Sequence, residues 1–130
     1  SASAQGELVL VVDDELALRS LVQRVLEAAG YEVDAVDGTE AAFELLRRGA
    51  AIDLVLLDRS VSRGPTKAVI ASLRELAPRM GIVFFTGASV PHDEKALVEG
   101  VLSKPATLDE LLELVRRVLD RPGAKAASPG

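Results

Sequence analysis

The chain has 130 residues, enough for one hydrophobic core but not two. With 48 % hydrophobic and 27 % charged residues it reads as globular, and its net charge of −5 without a clustered basic face argues against a nucleic-acid grip by this domain. No cysteine is present, which removes disulfides, thiolate metal sites and thiol nucleophiles. The apolar runs are strand-length, too short for a membrane span, so no membrane contact is expected and the cytoplasm is the default compartment.

The pattern alternates short apolar runs with helical faces, as a repeating βα fold requires. Glu7–Val12 reads as a strand buried on both faces. A helix is expected from Leu16 to Ala28, with Leu18, Leu21, Val22, Val25 and Leu26 on one face, Asp14 helping to begin it and Gly30 to stop it. Strand two is Glu32–Val36, and Thr39 is read as the N-cap of a helix ending before Gly49. Ile52–Asp58 is strand three. Thr66–Ala77 is a helix closed by Pro78, Gly81–Thr86 strand four, Asp93–Val98 a short helix and Val101–Ser103 strand five.

The last helix is the best signalled. Thr107 and Glu110 form a capping box, and Leu108, Leu111, Leu112, Val115, Val118 and Leu119 make its apolar stripe. The Arg47–Arg48 and Arg116–Arg117 pairs read as solvated faces, His92 as a loop residue, and Phe43, Phe84 and Phe85 as core. The globular domain is placed at residues 7–120, with 1–6 a linker remnant and 121–130 a disordered tail or linker. Five βα units imply a parallel sheet in a doubly wound three-layer sandwich, whose ligands bind beyond the carboxyl ends of the strands.

Those strand ends carry Asp13 and Asp14, then Asp58, then Thr86, then Ser103-Lys104-Pro105; Asp37-Gly38 ends strand two at the far side of the sheet. Three clustered carboxylates repel unless a cation offsets them, and Mg²⁺ suits an all-oxygen donor set. An Asp beside Mg²⁺ and Lys104 is placed to attack phosphorus, because both cations offset charge on the transferring oxygens. Taken singly, each carboxylate could be only a cap or a turn residue; the set argues for a site.

LVLVVDDE at 8–15, GYEV at 30–33, LVLLD ending at Asp58, FFTG ending at Gly87 and SKP at 103–105 together resemble the response-regulator receiver domain, from about Leu8 to Leu119. The resemblance implies a flavodoxin-like (βα)5 fold of strand order 2-1-3-4-5 and a switch that promotes its own phosphorylation and dephosphorylation, not a turnover enzyme. It makes Asp58 the phospho-acceptor. Asp13 and Asp14 become the acidic pair holding Mg²⁺, with Asp14 the direct ligand, and the Ser60 carbonyl a main-chain ligand. Thr86 becomes the switch hydroxyl, Lys104 its partner lysine, and Pro105 the proline after a cis peptide bond. Ser60 and Ala88 fall where the family tunes phosphoryl lifetime. The donor would be phosphohistidine on a histidine kinase or histidine phosphotransfer domain, docking beside helix one and the Pro105-Ala106 loop. The parent would be a hybrid histidine kinase or a stand-alone receiver.

Four departures stand out. Val61 and Ser62 replace the family's Met-Pro, Thr66 replaces a glycine, Val101 replaces the aromatic switch residue, and only 18 positions separate Thr86 from Lys104. A short or irregular fourth helix is expected, and with it no dimerisation through the face of the fourth helix, fifth strand and fifth helix. The rival readings are a nucleotide binder, a haloacid-dehalogenase-type phosphohydrolase and a pseudo-receiver. Asp13-Asp14-Glu15 would repel a bare phosphate, and the phosphohydrolase needs a second carboxylate where Ser60 stands. The pseudo-receiver, a phosphorylation-independent interaction module, remains the alternative.

Overall fold

The structure is a computed structural model that describes residues 4–62 and 64–123. Five strands, β1 (Leu8–Val12), β2 (Glu32–Val36), β3 (Leu54–Leu57), β4 (Gly81–Thr86) and β5 (Gly100–Ser103), form one sheet in the order β2-β1-β3-β4-β5. Every pairing is parallel, so each connection must cross over a face of the sheet. The crossovers carry α1 (Leu16–Ala28), α2 (Thr39–Arg47), α3 (Thr66–Leu76), α4 (His92–Lys95) and, after β5, α5 (Leu108–Leu119). A 3₁₀ turn, Arg59–Val61, follows β3.

The period-two alternation of the central strands builds two cores. Val9, Val11, Leu54, Leu56, Val83 and Phe85 face α1 and α5. Leu10, Val12, Val55, Leu57, Ile82 and Phe84 face α2 and α3. Phe43 lies at the margin of that second core rather than inside it.

Helix ends follow local chemistry. Gly30, at φ +100°, takes the left-handed position that closes α1; its N–H donates to the Glu27 carbonyl and that of Tyr31 to Leu26. In α5 the Thr107 hydroxyl accepts from the Glu110 N–H at 3.1 Å and the Glu110 carboxylate accepts from the Thr107 N–H at 2.8 Å. Two expected starts are corrected. Gly38 is the N-cap of α2, leaving Thr39 as its first helical residue. At α1 the Asp13 carboxylate, not Asp14, accepts the Glu15 N–H, at 2.9 Å. His92 opens the one-turn α4 instead of lying in a loop, and is exposed.

The stripes also shift. On α1, Val22 and Leu26 are buried, whereas Leu21 is exposed. On α5, Leu114 joins the core and Leu108 faces solvent. The larger correction concerns Arg116, which is buried rather than solvated. Its guanidinium donates to Glu7 at 2.6 Å and to Asp120 at 2.8 Å and lies over the Tyr31 ring. Arg117 stays exposed, as do Arg47 and Arg48. Arg121 donates to the carbonyls of Val118 and Arg79; the tail reading otherwise falls on 124–130, and the leader reading partly on 1–3, outside the described residues.

Candidate functional site

Register brings the candidate residues together. Val12 pairs with Leu57, so Asp13 and Asp58 leave neighbouring strands at the same level; Thr86 pairs with Ser103, which puts Lys104 one residue beyond. The Lys104–Pro105 bond is cis.

The Lys104 ammonium lies between the two carboxylates, 2.7 Å from Asp58 Oδ2 and 2.8 Å from Asp13 Oδ2. It also stands 5.4 Å from the Phe85 ring centroid. Asp58 Oδ1 accepts from Thr86 Oγ1 at 2.9 Å, the Ser60 N–H at 2.9 Å and Ser60 Oγ at 3.0 Å. The Thr86 oxygen in turn accepts from the Ala88 N–H at 3.2 Å. Asp13 is further held from behind: the Arg19 guanidinium donates to its carbonyl at 2.7 Å.

The side chains of Asp13 and Asp58 are only 6 % and 10 % exposed, so the electrostatics are strong. Burial by itself would raise the Asp58 pKa, but the bonds from Lys104, Ser60 and Thr86 outweigh it and hold the carboxyl below its ordinary value. Burial would likewise lower Lys104; Asp13 and Asp58 outweigh it and raise the ammonium's pKa. At neutral pH Asp58 is therefore an ionised carboxylate clamped by a charged lysine.

Asp14 stands apart from this cluster. It is exposed and lines a cleft of about 410 Å³ with Asp37, Gly38, Thr39 and Ser60. Asp37 and Gly38 are thus not remote, because β2 pairs directly with β1. Among the described residues no group of three or more His, Cys, Asp and Glu side chains is gathered as a metal cage. The repulsion expected among three carboxylates is relieved here by Lys104 for two of them and by solvent for the third. Asp14 and Ser60 line the cleft, and with Asp13 and Asp58, which follow β1 and β3, they offer only oxygen donors. That chemistry fits Mg²⁺, which keeps several waters and needs only one or two carboxylates. Val101 is half-buried among the aliphatic side chains on the α2–α3 side, and Pro105 is exposed.

Sequence reasoning missed two neighbours of the cluster. Arg59, the residue after Asp58, makes a bidentate pair with Glu94 of α4, at 2.6 and 2.9 Å. They are 35 positions apart, and no local pattern could have joined them. Arg19 lies six residues after Asp13, within reach of helical geometry once α1 is placed.

The family model for the response regulator receiver domain matches residues 9–116. The transcriptional regulatory protein DltR of Streptococcus agalactiae is 31 % identical over 115 residues, covering 83 % of this chain and 50 % of that protein. The sensor kinase CckA of Brucella abortus is 30 % identical over 121 residues, 87 % of this chain and 12 % of that protein. The chain thus spans half or less of the length of these two relatives. Among solved structures, the response regulator TrrA of Thermotoga maritima in complex with Mg²⁺-BeF aligns with a TM-score of 0.76 at 29 % identity, covering 87 % of this chain and 99 % of that one.

Proposed function

The chain belongs to the response regulator receiver domain family, and from that premise we propose that it accepts a phosphoryl group on Asp58 with the help of Mg²⁺ and passes the change on as a conformational switch. The observation that carries the reading is the Asp58 carboxylate itself. It is ionised and nine-tenths buried, and it is bonded at once by Lys104 beyond β5 and Thr86 of β4.

In the proposed reaction a carboxylate oxygen of Asp58 forms a bond to phosphorus as the bond from phosphorus to the donor imidazole nitrogen breaks. The imidazole leaves with that electron pair. Lys104, held between Asp13 and Asp58, stays beside the new phosphoryl oxygens, while the Thr86 hydroxyl is free to turn toward them. Asp13, Asp14, Asp58 and the Ser60 carbonyl would hold the Mg²⁺, which when bound offsets charge on the phosphoryl oxygens. Phosphorylation then shifts an existing conformational equilibrium.

The donor in this reading is a phosphohistidine on a histidine kinase or phosphotransfer domain. Leu16 and Leu108, 65 % and 48 % exposed, begin α1 and α5 on the sheet edge that carries Asp58, and offer apolar contact to such a donor. None of the helices in the described residues is long and apolar enough to cross a membrane; we place the domain in the cytoplasm, where such donors present phosphohistidine. The test is intact-protein mass after incubation with acetyl phosphate and Mg²⁺. A phosphoryl adduct should appear in the parent and be absent from Asp58→Asn and from an EDTA control. No adduct, under conditions that modify a known receiver, would favour a phosphorylation-independent interaction module.

A further inference from the structure

The 3₁₀ turn Arg59–Val61 does two things at once. It delivers the Ser60 N–H and hydroxyl to Asp58 Oδ1, and the Val61 N–H donates to the Asp58 carbonyl at 3.1 Å. A single 3₁₀ turn does not hold itself, since few backbone bonds are gained for the residues fixed. Glu94, the buried acid of α4, reaches the turn: both its oxygens accept from Arg59, in the planar geometry that makes guanidinium–carboxylate pairs stiff. The other ion pair on α4, Lys67–Asp93, is exposed and joins α4 to α3.

We propose that Arg59 and Glu94 are a positioning pair for the acceptor site: their bidentate contact holds the 3₁₀ turn so that Ser60 meets Asp58, and thereby sets Mg²⁺ affinity at a centre neither side chain touches. The proposal rests, for its metal clause, on the reading of Asp58 given above. The coupling is reciprocal, so a ligand at Asp58 that moves the turn must also pull on Glu94 and α4. It offers a route to α4 that does not need an aromatic residue at Val101.

The test uses the whole chain in four forms besides the parent: Glu94→Gln, Arg59→Gln, the exchanged pair Arg59→Glu with Glu94→Arg, and Asp93→Asn. Amide hydrogen exchange at Ser60 and Val61 is read by NMR in metal-free protein. The same amides are then followed through a titration with MgCl₂. Glu94→Gln and Arg59→Gln should each speed exchange at both amides about tenfold and weaken Mg²⁺ binding by several-fold. The exchanged pair should recover part of both losses, and Asp93→Asn should leave both within about twofold.

Unchanged Ser60 exchange in a folded Glu94→Gln or Arg59→Gln protein overturns the proposal. So does faster exchange with Mg²⁺ affinity unaltered, or an equal effect from Asp93→Asn. A parent that binds no Mg²⁺ overturns the metal clause together with the reading of the site, while exchange in metal-free protein still decides whether the pair holds the turn.

Discussion

Glu7→Gln is the sharpest test of how the two ends of the domain are tied. Glu7 precedes β1 and is buried against Arg116 on α5, 109 positions away. Burial would raise its pKa. The Arg116 guanidinium and the Gln5 N–H outweigh burial and lower it from 4.5 to about 2. At about 1.4 kcal/mol per pH unit, that gap corresponds to roughly 3 kcal/mol of stability at pH 7. The folded value lies below the unfolded one, so this contribution is complete above pH ~4.5 and lost as pH falls through about 2. By the same linkage roughly 1 kcal/mol remains at pH 3. Urea unfolding of parent and variant at pH 7 and pH 3 measures both ends. The variant should lose about 2–3 kcal/mol at pH 7, because its amide still accepts one bond from Arg116, and the deficit should shrink by more than half at pH 3. A deficit under about 1 kcal/mol at pH 7, or one equal at both pH values, refutes the reasoning.

Lys104→Met should raise the Asp58 carboxyl pKa, followed by NMR titration of the side chain, since the largest of the bonds holding it down is lost. The same variant should lack the parent's loss of stability at alkaline pH: the raised lysine contributes fully below its ordinary value, and that contribution disappears as pH climbs through the folded one. Thr107→Ala removes the capping box of α5 and should cost about 1 kcal/mol in urea, with no effect on phosphorylation by acetyl phosphate. Gly81→Ala would put a Cβ 2.8 Å from Val118 Cγ1, under α5; a loss of about 1–3 kcal/mol is expected, and a neutral result would mean that α5 rides more loosely on β4 than its packing implies.

What the chain says by itself is whatever short-range chemistry decides. The Thr107–Glu110 box, the Gly30 stop and the paired apolar runs of β1 and β3 act over a few residues, and each stands where the pattern puts it, with β1 one residue and β3 three residues shorter than the expected Glu7–Val12 and Ile52–Asp58. The doubly wound order follows, because parallel strands buried on both faces leave few ways to cross. Asp58, Thr86 and Lys104 were legible for the same reason: Thr86 ends β4, Asp58 and Lys104 directly follow β3 and β5, and strand ends share one edge.

Tertiary structure alone decided who pairs with whom at that edge and beneath it. Asp13 and Asp14 are adjacent and chemically identical, yet pleat and register send one carboxylate to Lys104 and leave the other on the cleft. Arg116 differs from Arg117 by one step around α5, about a hundred degrees. That step carries it off the solvated side and onto Glu7. Arg59 finds Glu94 only because α3 and β4 return the chain over the 3₁₀ turn. A helical period marks an apolar face to within a residue or so, but the partner of a charge at the margin of that face depends on which helix is laid against which strand. That is settled by packing the whole core, not by any stretch of sequence.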